Sequence, residues 1–303
     1  MTWKAVPGWV GSAQAFLADD WGRAPRVFRG LRPETPITLG DVDRAIRHRM
    51  LRRPHVEMVR GTDEIPESSY TTSRRMTGST VPAFADGAAI ARLLRQGSTL
   101  LLRNVEHWHA PTERLTRDFE TDLRRPVEAF FFATPAGAQG LVTHRDDADV
   151  LLLQISGSKR WTVYPGPGDG NWRPGPAEEV GAAVLEETVR AGDVLYIPRG
   201  FAHTASGEEG LSTHLSLTVR EVGTQELYAA LQRTIMDGLA IEARPLGEPE
   251  LLETAEQLLD RIRAVVPRLT AADVLSAARG ARTPERGRPP SDGDDLSTLL
   301  TTG

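Results

Sequence analysis

A series of short apolar segments between residues 127 and 219 constrains the fold of this 303-residue chain more than any other feature. The segments read VEAFFFATP, VLLLQI, KRWTVY, DVLYIP and STHLSLTV, and each is bounded by Gly, Pro, Ser or Asp. Closely spaced short strands that are separated by turn residues are typical of an antiparallel sandwich or barrel. The sequence therefore predicts a mainly β core, with helices before and after it.

The segment that precedes this core, residues 1–84, is predicted to mix short helices with loops and to pack on the barrel. A helix is predicted from Leu39 to Leu51, with Asp41 in its first turn. The polar run from Gly61 to Thr80 shows no apolar period and is predicted to be loop.

The barrel region, residues 85–221, is predicted to begin with a helix from Gly87 to Arg95 and a strand from Ser98 to Val105. The strand segments described above follow. Between two of them lies a Gly/Pro-rich run, Pro165 to Pro176, which we interpret as a lid over a site at the mouth of the barrel.

Residues 222–280 are predicted to be helical, because their apolar residues recur every three or four positions. The predicted helices are Gln225–Ala243, Glu250–Val266 and Ala271–Arg279. The first carries an apolar stripe of the kind used in cores and subunit contacts, consisting of Leu227, Leu231, Ile235 and Leu239. We therefore expect a homodimer formed through the helices of residues 225–266. The tail, residues 281–303, is rich in Arg, Pro, Ser and Asp and is expected to be mobile.

Charge and composition exclude several classes of protein and site. A net charge of -5 and an isoelectric point near 5.9 argue against direct nucleic-acid binding, which needs a positive surface. The chain has no cysteine, so any metal must be bound by His, Asp or Glu rather than by thiolates. No apolar run has the length of a membrane span, and the N-terminus lacks the pattern of a secretory signal. We expect a cytoplasmic protein.

His144, Asp146 and His203 are candidate metal ligands and catalytic residues. His144 and Asp146 are two positions apart, so on an extended strand both side chains point to the same face. His203 follows 57 residues after Asp146, and a barrel can return it to the first two. Two imidazoles and one carboxylate leave coordination positions open, as in non-haem Fe(II) oxygenases.

A His-x-Asp triplet alone is weak support, because chance can produce one in a chain of this composition, and structural histidines are the alternative. The second half of the pattern is more specific. Gly192, Pro198 and Gly200 precede His203 at the spacing of a compact cupin motif, in which the glycines and the proline form the turn that presents the histidine.

Lys159 is the second candidate element. It lies thirteen residues after Asp146 and shares one face of the strand KRWTVY with Trp161 and Val163. If that face points inward, a buried lysine needs an anion beside it, and a dicarboxylate co-substrate would supply one. In the alternative register the strand is shifted by one position, Arg160 points inward and Lys159 faces solvent.

The stretch TPAGAQGLVTHRDDADVLLLQISGSKRWTVY, followed by AGDVLYIPRGFAHTA and STHLSLTV, resembles the JmjC-type 2-oxoglutarate oxygenases. The nearest branch is the cupin-like ribosomal oxygenases, which hydroxylate arginine or histidine side chains in ribosomal proteins. The resemblance covers about residues 85 to 221. It implies a double-stranded β-helix (cupin/jelly-roll) core with Fe(II) at its mouth, and 2-oxoglutarate and O2 as co-substrates.

The resemblance also assigns roles to residues of the co-substrate pocket. Lys159 is assigned to the distal carboxylate of 2-oxoglutarate. Ser216 and Thr218 resemble polar positions that line the pocket, and His214, on the same strand face, is a weaker candidate. Two positions depart from the family pattern, because Phe130 and Phe132 stand where relatives carry Asn and Tyr.

The resemblance implies an enzyme that hydroxylates an amino-acid side chain in a protein or peptide. Three alternatives remain: a hydroxylase of a free amino acid or small metabolite, a demethylase, and a metal-binding cupin that does not use 2-oxoglutarate. We expect the region after the barrel not to contain the complete winged-helix domain of relatives, which weakens the transfer of a ribosomal substrate. His107 and His109, in NVEHWHAP, have no carboxylate two or three residues after them and are interpreted as loop or structural residues.

Overall fold

The computed structural model describes residues 3–282 except residues 49, 167, 169, 171, 179 and 240–244. The chain divides between Arg220 and Glu221 into two compact units. No helix among the described residues is both long and apolar enough to cross a membrane.

The first unit combines short helices with two facing antiparallel sheets. Its helices are α1 (Val6–Val10), α2 (Ala13–Ala15), α3 (Leu39–Arg47), α4 (Gly87–Arg95) and α5 (Ala110–Leu123). Its strands are β1 (Arg26–Phe28), β2 (Val56–Val59), β3 (Thr71–Met76), β4 (Ser79–Ala85), β5 (Thr99–Leu102), β6 (Val127–Thr134), β7 (His144–Arg145), β8 (Ala148–Ser156), β9 (Ser158–Val163), β10 (Gly175–Pro176), β11 (Leu185–Arg190), β12 (Val194–Ile197), β13 (Ala202–Gly207) and β14 (Ser212–Arg220).

The larger sheet has the strand order β1-β12-β8-β14-β6-β5-β2, and the smaller one β10-β7-β13-β9-β11. Two facing antiparallel sheets with additional helices make a mainly β double-stranded β-helix. The predicted fold class is therefore confirmed.

Strand β8 shows why the larger sheet is apolar on both faces. Val150 and Leu152 lie in the cluster between the two sheets, whereas Leu151 and Leu153 lie in the cluster that includes residues of the N-terminal helices. A strand that is buried on both faces has a continuous apolar run rather than an alternating one. This explains the segment VLLLQI.

The N-terminal segment supplies both edges of the larger sheet. Strand β1 pairs with β12, and strand β2 pairs with β5. The start of the segment is fixed by the carboxylate of Asp122, which accepts hydrogen bonds from the backbone N–H groups of Lys4, Ala5 and Val6 at 2.8–3.1 Å. The described residues of this segment therefore belong to the same unit as the barrel.

Two expectations for this segment need correction. Helix α3 begins at Leu39 as predicted, with a capping box between Thr38 and Asp41, but it ends at Arg47 rather than Leu51. The predicted loop from Gly61 to Thr80 is wrong at Thr71–Met76, the first strand of the β3–β4 hairpin, and at its last two residues, which begin the second strand. Neither face of strand β3 is buried in a core, so its sequence lacks the alternation that would reveal a strand.

In the described part of the second unit, the helices are α6 (Thr224–Met236), α7 (Glu248–Val265) and α8 (Ala271–Arg282). The predicted helices are confirmed, although the first ends seven residues early and residues 240–243 of its predicted range lie outside the described residues. A small core forms from Val222, Ala230 and Ala278. The tail predicted to be mobile also lies outside the described residues from position 283 onward.

Candidate active site

A cavity of about 300 Å³ lies between the two sheets of the barrel. The larger sheet contributes lining residues from β5, β6, β8 and β14, and the smaller one from β7, β9 and β13. The cavity includes all seven residues that the sequence places in a metal or co-substrate site, namely His144, Asp146, Lys159, His203, His214, Ser216 and Thr218.

The three predicted metal ligands converge on one point of this cavity. His144 on β7 lies directly opposite His203 on the antiparallel strand β13. One ligand atom from each of His144, Asp146 and His203 lies within 4.8 Å of the other two. Both Nε2 atoms face the carboxylate of Asp146, each at 3.6 Å from one of its oxygens. The arrangement can hold one cation between two imidazoles and one carboxylate.

Hydrogen bonds to the backbone orient both histidine rings. Nδ1 of His144 lies 2.8 Å from the carbonyl oxygen of Val142, and Nδ1 of His203 lies 3.1 Å from that of Phe201. Because a carbonyl oxygen can only accept, each Nδ1 carries a proton, and Nε2 is the nitrogen that has the lone pair in the neutral ring. Burial and the neighbouring His144 lower the pKa of His203 to about 4, so this ring is neutral at pH 7. Neutral imidazole is the form that binds metals.

The turn before His203 has a shape that requires glycine at position 200. Gly200 has a φ of 81°, and a Cβ built there would lie 2.7 Å from Cε2 of Trp172. Its N–H donates to the carbonyl oxygen of Asp146 at 3.1 Å, which ties the turn to the first two ligands. The glycine in the predicted cupin motif thus permits the close approach of a tryptophan.

Lys159 lies at the closed end of the cavity with 3% of its surface exposed. Its Nζ donates to Oγ1 of Thr134 at 3.1 Å and lies 5.8 Å and 5.5 Å from the ring centres of Phe132 and Trp161. No carboxylate pairs with it within the described ranges. The register that places Lys159 inward is therefore confirmed, and Arg160 is exposed instead.

Burial without a counter-ion lowers the pKa of Lys159 to about 7. A lysine in such surroundings binds an anion in its ammonium form, because the anion restores the lost solvation. The side chain of Lys159 therefore fits the carboxylate of a small acid that enters the cavity.

His214 closes the same end of the cavity. Its ring stacks on Phe132 with centres 4.7 Å apart and planes 9° apart. Its Nδ1 and the Nε1 of Trp161 are buried and have no hydrogen-bond partner among the residues described. Burial lowers the pKa of His214 well below its usual range, so the ring is neutral. Phe130 and Phe132, which depart from the family pattern, both line this wall.

Ser216 and Thr218 continue the same strand face toward the mouth. Thr218 Oγ1 donates to the backbone carbonyl of Glu128 at 3.1 Å, whereas Ser216 is buried against the cavity. Beyond them, Arg220 contacts Asp147 and lies 2.9 Å from the carboxylate of Glu128. The mouth is therefore more polar than the closed end.

Sequence reasoning missed three residues of this site, Thr134, Arg103 and Arg220. Thr134 could have been predicted from the sequence, because alternation along β6 places it on the same face as Phe130 and Phe132. No local signal marks the two arginines. His107 and His109 do not line the cavity: His107 is half-exposed beside Glu106, and His109 contacts Thr112 at the start of α5.

Residues 107–227, less than half of the chain, match the family model described as the JmjC domain. The predicted JmjC resemblance is confirmed. Among curated proteins, the chain is 38% identical over 120 residues to the bifunctional lysine-specific demethylase and histidyl-hydroxylase NO66 of Drosophila simulans. That match covers 36% of this chain and 14% of the relative. A match to NO66 of Dictyostelium discoideum is 30% identical over 173 residues and covers 53% of this chain and 32% of that protein.

Among solved structures, the chain resembles Escherichia coli ribosomal oxygenase YcfD in complex with cobalt and 2-oxoglutarate. The TM-score is 0.54 at 23% identity, and the match covers 84% of this chain and 68% of the other. Likeness at this identity shows a shared fold. The chain spans at most about one third of the length of the two NO66 relatives.

Proposed function

We propose that this chain, which contains a JmjC domain, is an Fe(II)- and 2-oxoglutarate-dependent oxygenase that hydroxylates an amino-acid side chain in a protein or peptide. The observation that carries the proposal is the pairing of two features in one cavity. The His144, Asp146 and His203 cluster lies at one end, and the buried amine of Lys159 lies at the other.

The donor set fits the proposed metal. Two imidazoles and one carboxylate suit a divalent iron ion and leave positions free for a chelating acid and for oxygen. The closed end fits the proposed co-substrate, because it contains a lysine without a counter-ion and two buried N–H-bearing rings whose nitrogens have no partner in the described part of the chain. Buried polar groups are normally paired, so a polar ligand is expected here.

A bound metal and 2-oxoglutarate would supply the oxidation with O2 as the oxidant; one oxygen atom would enter succinate as carbon dioxide leaves, and the other would become the hydroxyl group of the substrate. The residues of the chain position the reactants. The Nδ1–H bonds of His144 and His203 keep both Nε2 lone pairs directed at the metal position. Lys159 binds the distal carboxylate, with Ser216, Thr218 and His214 lining the wall beside it. The rings of Phe132 and Trp161 exclude water from the lysine.

The proposed substrate side chain enters at the polar mouth, where Asp147 and Arg220 contact one another. Support for a protein substrate comes from the relatives, whose names describe a demethylase and histidyl-hydroxylase and a ribosomal oxygenase. A free amino acid or small metabolite remains the alternative. A cupin that does not use 2-oxoglutarate gives no role to the buried amine of Lys159, and the structure favours no such function.

We also propose that helix α7 binds a second copy of the chain. Apolar side chains are exposed along it and directly after it, at Leu251, Leu252, Leu259, Ile262 and Val266. Leu252, Leu259 and Val266 are seven residues apart, the repeat of helices that pair lengthwise. A wild-type protein that is monomeric by light scattering at the concentrations used for activity would contradict a dimer. The cytoplasmic location expected from sequence stays a prediction.

The proposed activity is tested by succinate formation from 2-oxoglutarate in the presence of Fe(II) and ascorbate. Wild type should form succinate, His144→Ala should form almost none, and Lys159→Ala should form much less than wild type when 2-oxoglutarate is below saturation. His107→Ala and Arg160→Ala are matched controls, because both residues lie outside the cavity, and both variants should retain turnover. Wild-type turnover by both cavity variants, or no turnover by the wild type with any peptide or metabolite tested, would refute the oxygenase proposal.

The substrate class needs a separate experiment. Mass spectrometry compares the proteins and metabolites of a deletion strain with those of the complemented strain. The substrate should be heavier by one oxygen atom in the complemented strain. A gain confined to a protein residue supports the leading proposal. A gain confined to a small metabolite would support the alternative.

A further inference from the structure

Arg145 lies between two proposed metal ligands but points away from the cavity. Side chains alternate across a strand, so His144 and Asp146 face the cavity and Arg145 faces the opposite side. Only 9% of Arg145 is exposed. Arginine is rarely buried to this extent unless it is paired with an acid.

The guanidinium of Arg145 is bound by backbone groups. Its Nη1 donates to the carbonyl oxygen of Gly200 at 2.6 Å and to that of Pro165 at 3.1 Å. No carboxylate pairs with Arg145 in the described part of the barrel. Two carbonyl hydrogen bonds offset the desolvation of a cation only in part, so this burial is a poor source of stability.

Both acceptors belong to segments that complete the site. Gly200 lies in the turn that precedes His203, and its own N–H returns to the carbonyl oxygen of Asp146. Pro165 begins the Gly/Pro-rich run. The last two residues of this run form β10, which pairs with β7, the strand of His144. Arg145 therefore joins the segment His144–Asp146, which contains two ligands, to the turn that precedes the third and to the start of the predicted lid.

We propose that Arg145 is a positioning residue that sets the distance between His203 and the pair His144 and Asp146, and through it the affinity for the metal. The inference rests on the proposed function, since it requires these three residues to bind a metal. Groups that orient metal ligands change metal affinity by roughly 10–100-fold when they are replaced.

Charge and geometry predict opposite results when Arg145 is replaced. The positive guanidinium repels a nearby cation, so a neutral side chain that left the ligands in place would tighten metal binding. If Arg145 instead holds the ligands at their distance, the same replacement weakens binding. The sign of the change therefore separates positioning from a merely electrostatic effect.

The test is titration of Co(II) into the metal-free full chain, followed by calorimetry and by the visible spectrum of the bound ion. Arg145→Met, which keeps the apolar stem without the donors, should bind Co(II) about 10–100-fold more weakly and with an altered spectrum. Arg145→Lys, which keeps one donor group, should recover part of the loss. Asp122→Asn is the control for stability, because Asp122 fixes the N-terminus away from the cavity. It should lower the melting temperature without changing Co(II) affinity.

Wild-type affinity and an unchanged spectrum in Arg145→Met, or tighter binding, would overturn the positioning role. If Arg145→Met does not fold, Arg145→Lys decides, and wild-type affinity with a wild-type spectrum in that variant would overturn the role equally. A wild-type chain that binds no Co(II) would instead contradict the proposed metal site itself.

Discussion

The buried polar groups at the two ends of the barrel cavity differ in whether they have hydrogen-bond partners. At the metal end, the Nδ1 groups of His144 and His203 are both paired with backbone carbonyls. At the closed end, among the described residues, Lys159 has one hydroxyl partner and no carboxylate partner, and Nδ1 of His214 has no partner. The metal end is therefore organised before any ligand arrives, whereas the closed end is complete only when an anionic ligand occupies it.

The largest effect is expected from His144→Ala, which breaks the metal end alone. A bound metal contributes several kcal/mol to such reactions, so turnover should fall about a thousandfold or more. The melting temperature should change little, because His144 is part-buried and belongs to a two-residue strand. Succinate formation and thermal melting measure the two effects. Retained turnover would show that the metal end is not where the reaction occurs.

Lys159→Met breaks the closed end instead and should have two opposite consequences. The KM for 2-oxoglutarate should rise about 10–100-fold, the value of a hydrogen bond to a charged group. The ligand-free protein should melt at a higher temperature than wild type at pH 7 and below, because an unpaired buried charge is removed. A lower melting temperature at pH 6 would show that Lys159 stabilises the free protein and would remove this contrast between the ends.

The pH dependence of that stability follows from the lowered pKa of Lys159, about 7 against an ordinary 10.5. Between these values the unfolded chain binds more protons than the folded one, so the stability of wild type rises with pH across this window. The penalty is fully present below pH 7 and is lost toward pH 10.5. The stability advantage of Lys159→Met should therefore shrink between pH 7 and pH 9, as measured by denaturant unfolding. A constant difference would contradict the lowered pKa.

Affinity for 2-oxoglutarate should change in the opposite direction. The ammonium form of Lys159 binds the carboxylate, so affinity should fall as the pH rises above about 7, by at most about tenfold per unit. Calorimetry on the Mn(II)-loaded protein measures it. Lys159→Arg is the control, because a guanidinium stays charged and its affinity should not follow this titration. The same slope in that variant would assign the pH effect to another group.

The smallest effect is expected from Phe132→Tyr, which adds a hydroxyl to the wall beside Lys159 and His214. One extra neutral hydrogen bond should lower the KM for 2-oxoglutarate by about threefold. Steady-state kinetics checks this. A higher KM would show that the Phe132–His214 stack has no room for the added atom and that its packing outweighs its polarity.

Residues whose placement depends on local pattern were predictable from sequence. Lys159 faces inward because it alternates with Trp161 and Val163, and His203 follows a turn marked by proline and glycine. The hairpin β3–β4 could not be predicted, because it is exposed and lacks an apolar period.

Contacts between distant residues were equally inaccessible. The ion pair of Arg220 with Asp147 joins residues 73 positions apart, and the bond of Arg145 to Gly200 spans 55. Both depend on which strands become neighbours in the barrel.

An anaerobic crystal structure with Mn(II) and 2-oxoglutarate tests the central claim most directly, since the claim is that both ends of the cavity serve one co-substrate. The expected result is a metal bound by His144, Asp146 and His203, and a 2-oxoglutarate molecule whose far carboxylate contacts Nζ of Lys159. A metal bound elsewhere, or 2-oxoglutarate bound without contact to Lys159, would contradict the account.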